Sequence, residues 1–124
     1  MCIGKRAVFL GLLFLLIFSV ATAFAATPEV PVPGTVTMVD IGADACVPCK
    51  MMAPILVKVR KEYEGRAAII FIDVWKNPDA GRPFGISLIP TQIFYDKTGK
   101  EVGRHEGFLS EEKIKAQLDA LLKQ

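Results

Sequence analysis

Cys46-Val47-Pro48-Cys49 constrains the fold more than any other stretch of the chain, because of what flanks it. A Cys-x-x-Cys pair alone is weak, since it occurs in half-zinc sites, in redox centres and by chance. Here it follows an apolar, strand-like run, Thr35 to Ile41, and opens a helix-like one, Lys50 to Tyr63. A second β-rich run begins at Ile89-Pro90-Thr91. Strand, paired thiols, helix is the order expected of a redox couple, because unpaired N–H groups at a helix start favour a thiolate.

The rest of the pattern fits around that unit. Met52, Ile55, Leu56, Val59 and Tyr63 share one helical face, with Pro54 an expected kink. Gly65 ends the helix. Ala67 to Val74 is then a continuous apolar run, as in a buried parallel strand. Asn77 to Phe84 suggests a short helical turn. Thr91–Tyr95 and Lys100–Glu106 flank Asp96-Lys97-Thr98-Gly99, a hairpin signal. Ser110 suits a helix cap, Glu111 and Glu112 its first turn, and Ile114, Leu118, Leu121 and Leu122 its buried stripe. The sum is β-α-β, a β-hairpin, then α. This predicts an α/β fold with a four-stranded mixed sheet and helices on both faces.

Residues 1–25 read as a signal peptide. Lys5 and Arg6 supply the charged start, Ala7 to Val20 the apolar stretch, and Ala23-Phe24-Ala25 a cleavage pattern. The apolar stretch can be extended to roughly 20 residues, so an uncleaved membrane anchor is the competing reading. Cleavage would leave about 100 residues, enough for one core. Residues 26–34 form a Pro-rich lead-in that cannot be helical and reads as a linker or edge strand. Setting Lys5 and Arg6 aside brings the 15 basic residues level with the 13 acidic ones. No basic patch remains to suggest nucleic acid. Cys2 lies in the segment expected to be removed, which leaves Cys46 and Cys49 as the only thiols. A loop that short cannot staple a fold, so the pair is expected to be used chemically.

Cys49-Lys50-Met51-Met52-Ala53-Pro54-Ile55-Leu56, Gly85-Ile86-Ser87-Leu88-Ile89-Pro90-Thr91 and Gly107-Phe108-Leu109-Ser110 closely resemble the thioredoxin family at matching spacing. The resemblance runs from Thr35 to Leu122 and implies a thioredoxin-like domain over residues 35–124. It implies a trimmed version of that fold, because too few residues precede Thr35 for the family's first strand and helix.

Placement and resemblance together assign the expected roles. Cys46, at the helix start, is the expected nucleophile, since only a thiolate attacks a disulfide. Cys49, one turn inside and more buried, is expected to resolve the mixed disulfide. Pro48 removes a donor and stiffens the turn; it also suits the first turn of any helix. The resemblance implies that Asp40 is a buried acid taking the proton of Cys49; a solvent-facing strand-end aspartate is the plain alternative. It also implies that Pro90 is cis and packs on the cysteines, freeing the backbone of Ile89 to pair with a substrate strand. Val47 and Pro48 complete the expected substrate-binding set.

Three residues depart from the family. Ala45 and Gly42 stand where tryptophans are common, and Phe71 stands where a lysine lies near the buried acid. Trp75, the single tryptophan, reads as a loop or core aromatic before it reads as a rim of the site. His105 reads as a lone surface histidine. Two cysteines and one distant histidine fall short of a zinc site, and Met51 and Met52 read as core methionines before copper ligands.

The reading is a thiol–disulfide oxidoreductase, a reductant of protein disulfides, exported and periplasmic if bacterial, or membrane-anchored if the signal stays. Its cofactor is the Cys46–Cys49 disulfide alone, with no metal. Its expected partners are disulfide-containing clients and a membrane electron donor, with no nucleic acid, and it is expected to be monomeric. A metal-handling or chaperone-like binding module without turnover is the alternative.

Overall fold

The computed structural model describes residues 29–124. The expected signal peptide and the start of the lead-in lie outside the described residues. The element order is β1 (Val36–Gly42), α1 (Val47–Glu62), β2 (Ala67–Asp73), a 3-10 helix (Pro78–Phe84), β3 (Thr91–Tyr95), β4 (Glu101–Glu106) and α2 (Glu111–Leu122). The sheet order is β2-β1-β3-β4. β1 runs parallel to β2 and antiparallel to β3, and β3 pairs antiparallel with β4 with an irregularity between Phe94 and Tyr95. The mixed four-stranded sheet is therefore as expected.

Alternation along β1 divides its side chains between two layers. Val36 and Met38 join Met52, Leu56 and Val59 of α1, Tyr63 at its C-cap, and Ile114, Leu118 and Leu121 of α2 in one buried cluster. Both α-helices thus cover the same face. Val39, Ile41, Ile93 and Tyr95 point the other way and are met by Phe84 of the 3-10 helix, Ile86, Val74 and Val30. The helical cover of that second face is the 3-10 helix. The lead-in also docks: Val32 N–H donates to Thr37 Oγ1 at 3.1 Å.

α1 continues unbroken through Pro54, which is exposed. The carbonyl that loses its partner there, four residues back, can reach water. The far end of α1 is tied to α2 by Tyr63, whose hydroxyl donates to Asp119 Oδ1 at 2.7 Å, and by a Glu62–Lys115 ion pair at 2.7 Å. Burial and the Asp119 charge push the Tyr63 phenol up to about 12. These ties sit far from the cysteines. They leave the first turn of α1 as the end of the helix that meets solvent chemistry.

Candidate active site

Cys46 and Cys49 form a disulfide. Cys46 is the N-cap of α1, with extended backbone (φ −77°, ψ 127°), and Cys49 N–H donates to its Sγ at 3.4 Å. Sulfur here occupies the place usually taken by a serine or aspartate oxygen. The helix starts at Val47, three residues earlier than the apolar stripe alone suggested, so both cysteines belong to its first turn. Val47 is exposed and Pro48 half-buried. The expected difference in exposure between the thiols is small: Cys46 is 8% exposed and Cys49 4%. Both pack with Ala43 and against Ile89. That shared cover explains the near-equality in the oxidised state.

The Ile89–Pro90 bond is cis. Pro90 is buried, and its carbonyl accepts from Gly107 N–H at 2.7 Å, which ties the proline loop to the end of β4. Thr91 Oγ1 donates to the Leu88 carbonyl at 2.7 Å and pins the loop from its other side. Leu88 and Phe108 are exposed near these anchors.

Asp40 is fully buried. It lies on the α1 face of β1 with Met38, which decides the question that its neighbours in sequence left open. On the same face, Gly42 is pressed beneath the disulfide: a Cβ there would stand 3.1 Å from Cys49 Sγ and 3.3 Å from Phe71. The departure at this position is thus accounted for by space. Desolvation lifts the Asp40 carboxyl to about 6, while a hydrogen bond from Gln92 pulls the other way.

Gln92 was missed by sequence reasoning. It is fully buried in β3, directly opposite Asp40 in the strand register, and its Nε2 donates to Asp40 Oδ1 at 2.8 Å. The available signal was an amide inside the apolar strand Thr91–Tyr95. Two buried atoms of this pair, Asp40 Oδ2 and Gln92 Oε1, have no hydrogen-bond partner. Phe71, the β2 residue opposite Asp40, is half-buried and completes an apolar wall on that side.

Asp73 is the second residue that the sequence did not single out. At the end of β2 its Oδ2 accepts from Asp44 N–H at 3.0 Å, and its Oδ1 accepts from Trp75 and Lys76 N–H at 2.9 and 3.0 Å. These donors hold its carboxyl below the usual carboxylate range. Lys76 adds an ion pair to Asp44. One carboxylate therefore fastens the turn before Cys46 to the loop that carries Trp75. Trp75 itself is 60% exposed, as a loop residue.

His105 is half-buried on β4, where Nε2 lies 3.1 Å from the Phe108 carbonyl. Met52 is in the core, with its Sδ accepting from Leu109 N–H at 3.3 Å, whereas Met51 faces solvent. The two methionines therefore do not share a side of the helix with each other.

A disulfide seated at a helix N-terminus, above a buried acid and beside a proline loop, is a two-electron thiol–disulfide couple. A family model described as Thioredoxin matches residues 22–120. Thioredoxins of Staphylococcus aureus strains Mu50 / ATCC 700699, MW2 and N315 are each 39% identical to the chain over 84 residues, covering 68% of this chain and 80% of the relative.

Proposed function

The chain belongs to the thioredoxin family and is a thiol–disulfide oxidoreductase, and on that premise we propose that it reduces protein disulfides in an exported compartment. Cys46 attacks a client disulfide as a thiolate, forming a mixed disulfide and releasing one client thiolate. Asp40 takes the proton of the Cys49 thiol. Cys49 then attacks Cys46 Sγ, the Cys46–Cys49 bond forms, and the second client sulfur leaves as a thiolate. The client gains two electrons and the pair loses them. The backbone of Ile89, beside Pro90, aligns the client strand, with Val47 and Pro48 in contact with it. The chain works as a monomer with no metal, and a membrane electron donor returns its disulfide to the dithiol.

The observation that carries the direction of flow is the charge-free stretch at the helix start. Strong oxidants need a thiolate stabilised by several kcal/mol, whereas a helix dipole supplies about 0.3–1 kcal/mol, and up to about 2 in partly buried sites. Ala45, Val47 and Pro48 add no charge. The potential should accordingly lie nearer about −270 mV than about −120 mV. Equilibration with glutathione buffers measures it, and a value above about −180 mV would overturn the reductant reading. Insulin reduction driven by dithiothreitol tests turnover: Cys46→Ser should abolish it, and Cys49→Ser should accumulate mixed disulfides with clients. An N-terminus near Ala26 in the exported fraction supports cleavage of the signal; a full-length chain in the membrane fraction supports the anchor.

A further inference from the structure

The mechanism above uses one half of a buried polar pair and leaves the other half without a role. An amide beside a carboxyl is costly at the heart of an α/β domain. A buried polar atom without a partner destabilises the fold, and Asp40 Oδ2 and Gln92 Oε1 are two such atoms. Both are acceptors as long as Asp40 is a carboxylate. A single proton on Oδ2 changes that, because a carboxylic acid can donate to an amide oxygen while the amide N–H still donates to the other carboxyl oxygen.

We propose that Gln92 is a positioning residue that holds Asp40 in both of its protonation states, through Nε2 to Oδ1 in each and through Oε1 to the proton on Oδ2 in the acid. This rests on the reading of Asp40 as the base for Cys49. The pair then takes the proton that Cys49 loses as it attacks Cys46, and stores it on Oδ2 between Asp40 and Gln92. Reduction of the disulfide returns the proton to Cys49. No atom of the pair is unsatisfied in the acid form, so proton storage removes the penalty instead of adding one.

The sheet places mostly apolar neighbours around the pair. On β1, Met38 and Gly42 flank Asp40 on the same face, and β2 presents Phe71. From β4, the residue opposite Gln92 is His105. From α1 come Cys46 and Cys49, with Lys50 and Arg60 further along the helix beside a cavity of about 250 Å³ that Asp44 also lines. The inward residues of α2 are Ile114, Leu118 and Leu121, none of them titratable.

NMR of the oxidised full-length chain tests the proposal, with the Asp40 carboxyl carbon and the Gln92 side-chain amide followed through a pH titration. One shared midpoint for both groups is expected, and a Gln92 amide that does not respond at the Asp40 midpoint overturns the proposal. In Gln92→Leu both bonds go. The carboxylate loses one charge-assisted bond but is relieved of the orphan Oε1, whereas the acid loses two bonds, so the Asp40 midpoint should fall by about one to two pH units. The pH profile for formation of the Cys46–Cys49 disulfide should move with it. An unmoved midpoint in this variant overturns the role of Gln92 alone. Asp40→Asn separates the two readings: it should erase the inflection, and a profile identical to that of the unaltered protein overturns the base role of Asp40 instead.

Discussion

The two ends of β1 are equally buried and chemically opposite. At its start, Val36 and Met38 pack against Tyr63, Phe94, Ile114 and Leu118. At its end, on the same face, stand Asp40 and a glycine, under the disulfide. Burial therefore does not decide which residue a strand position holds. One end gains its stability from apolar area removed from water, at about 25 cal/mol per Å². The other holds a buried carboxyl, desolvated and bonded by Gln92 alone, at the cost of stability.

Exchanging the character of the two ends should give the largest effect. Met38→Asp places an uncompensated carboxylate in the apolar end and should cost about 3–5 kcal/mol or more. Urea unfolding followed by circular dichroism would measure it; a loss below about 1 kcal/mol would show that the two ends do not differ as described.

The pH dependence of stability sharpens the same contrast. Asp40 has its folded pKa raised from 3.8 to about 6. Between those values the unfolded chain has given up the proton and the folded chain has kept it. The contribution is thus whole below about pH 4, falls as pH rises through about 6, and is flat above. The loss should amount to about 3 kcal/mol relative to Asp40→Ala/Gln92→Leu, which removes both partners together. Parallel stability curves for the two proteins from about pH 4 to about pH 7 would refute this.

Smaller effects probe how tightly each end is filled. Gly42→Ala brings a methyl to 3.1 Å from Cys49 Sγ, closer than ordinary packing, and should cost about 1–2 kcal/mol while slowing disulfide exchange. Unchanged stability and rate would mean that the glycine is not needed for space. Ser110→Ala, at the cap of α2, should cost about 1 kcal/mol with no change in exchange rate. A slowed rate there would show that the apolar end and the reactive end are coupled.

Much of this contrast was legible in the residues themselves. The apolar stripe of α1 and the run from Ala67 identify which elements pack together, and strand, thiol pair and helix identify where the chemistry sits. Exact starts were not legible: α1 begins at Val47 because the sulfur of Cys46 caps it, which no stripe of apolar residues reports. The pairing of Asp40 with Gln92 was out of reach, since the two lie 52 positions apart and meet only through the register of β1 and β3. The same holds for Asp73, whose three backbone donors come from two loops. The near-equal cover of Cys46 and Cys49 likewise depends on Ile89, brought in by a distant loop.

The helix caps carry a last consequence. At α2, the Ser110 oxygen accepts from the N–H three residues on, at 3.4 Å, and nothing in the reaction touches it. At α1 the corresponding acceptor is Cys46 Sγ, which in the proposed cycle passes from disulfide to thiolate to mixed disulfide. As a thiolate it is a strong acceptor; joined to a client it is a weak one. If Cys46 is the attacking thiol, the Cys49 amide is a built-in gauge of the proposed cycle. Its hydrogen–deuterium exchange should slow and quicken as the sulfur changes state, while the Lys113 amide keeps a constant time beside it.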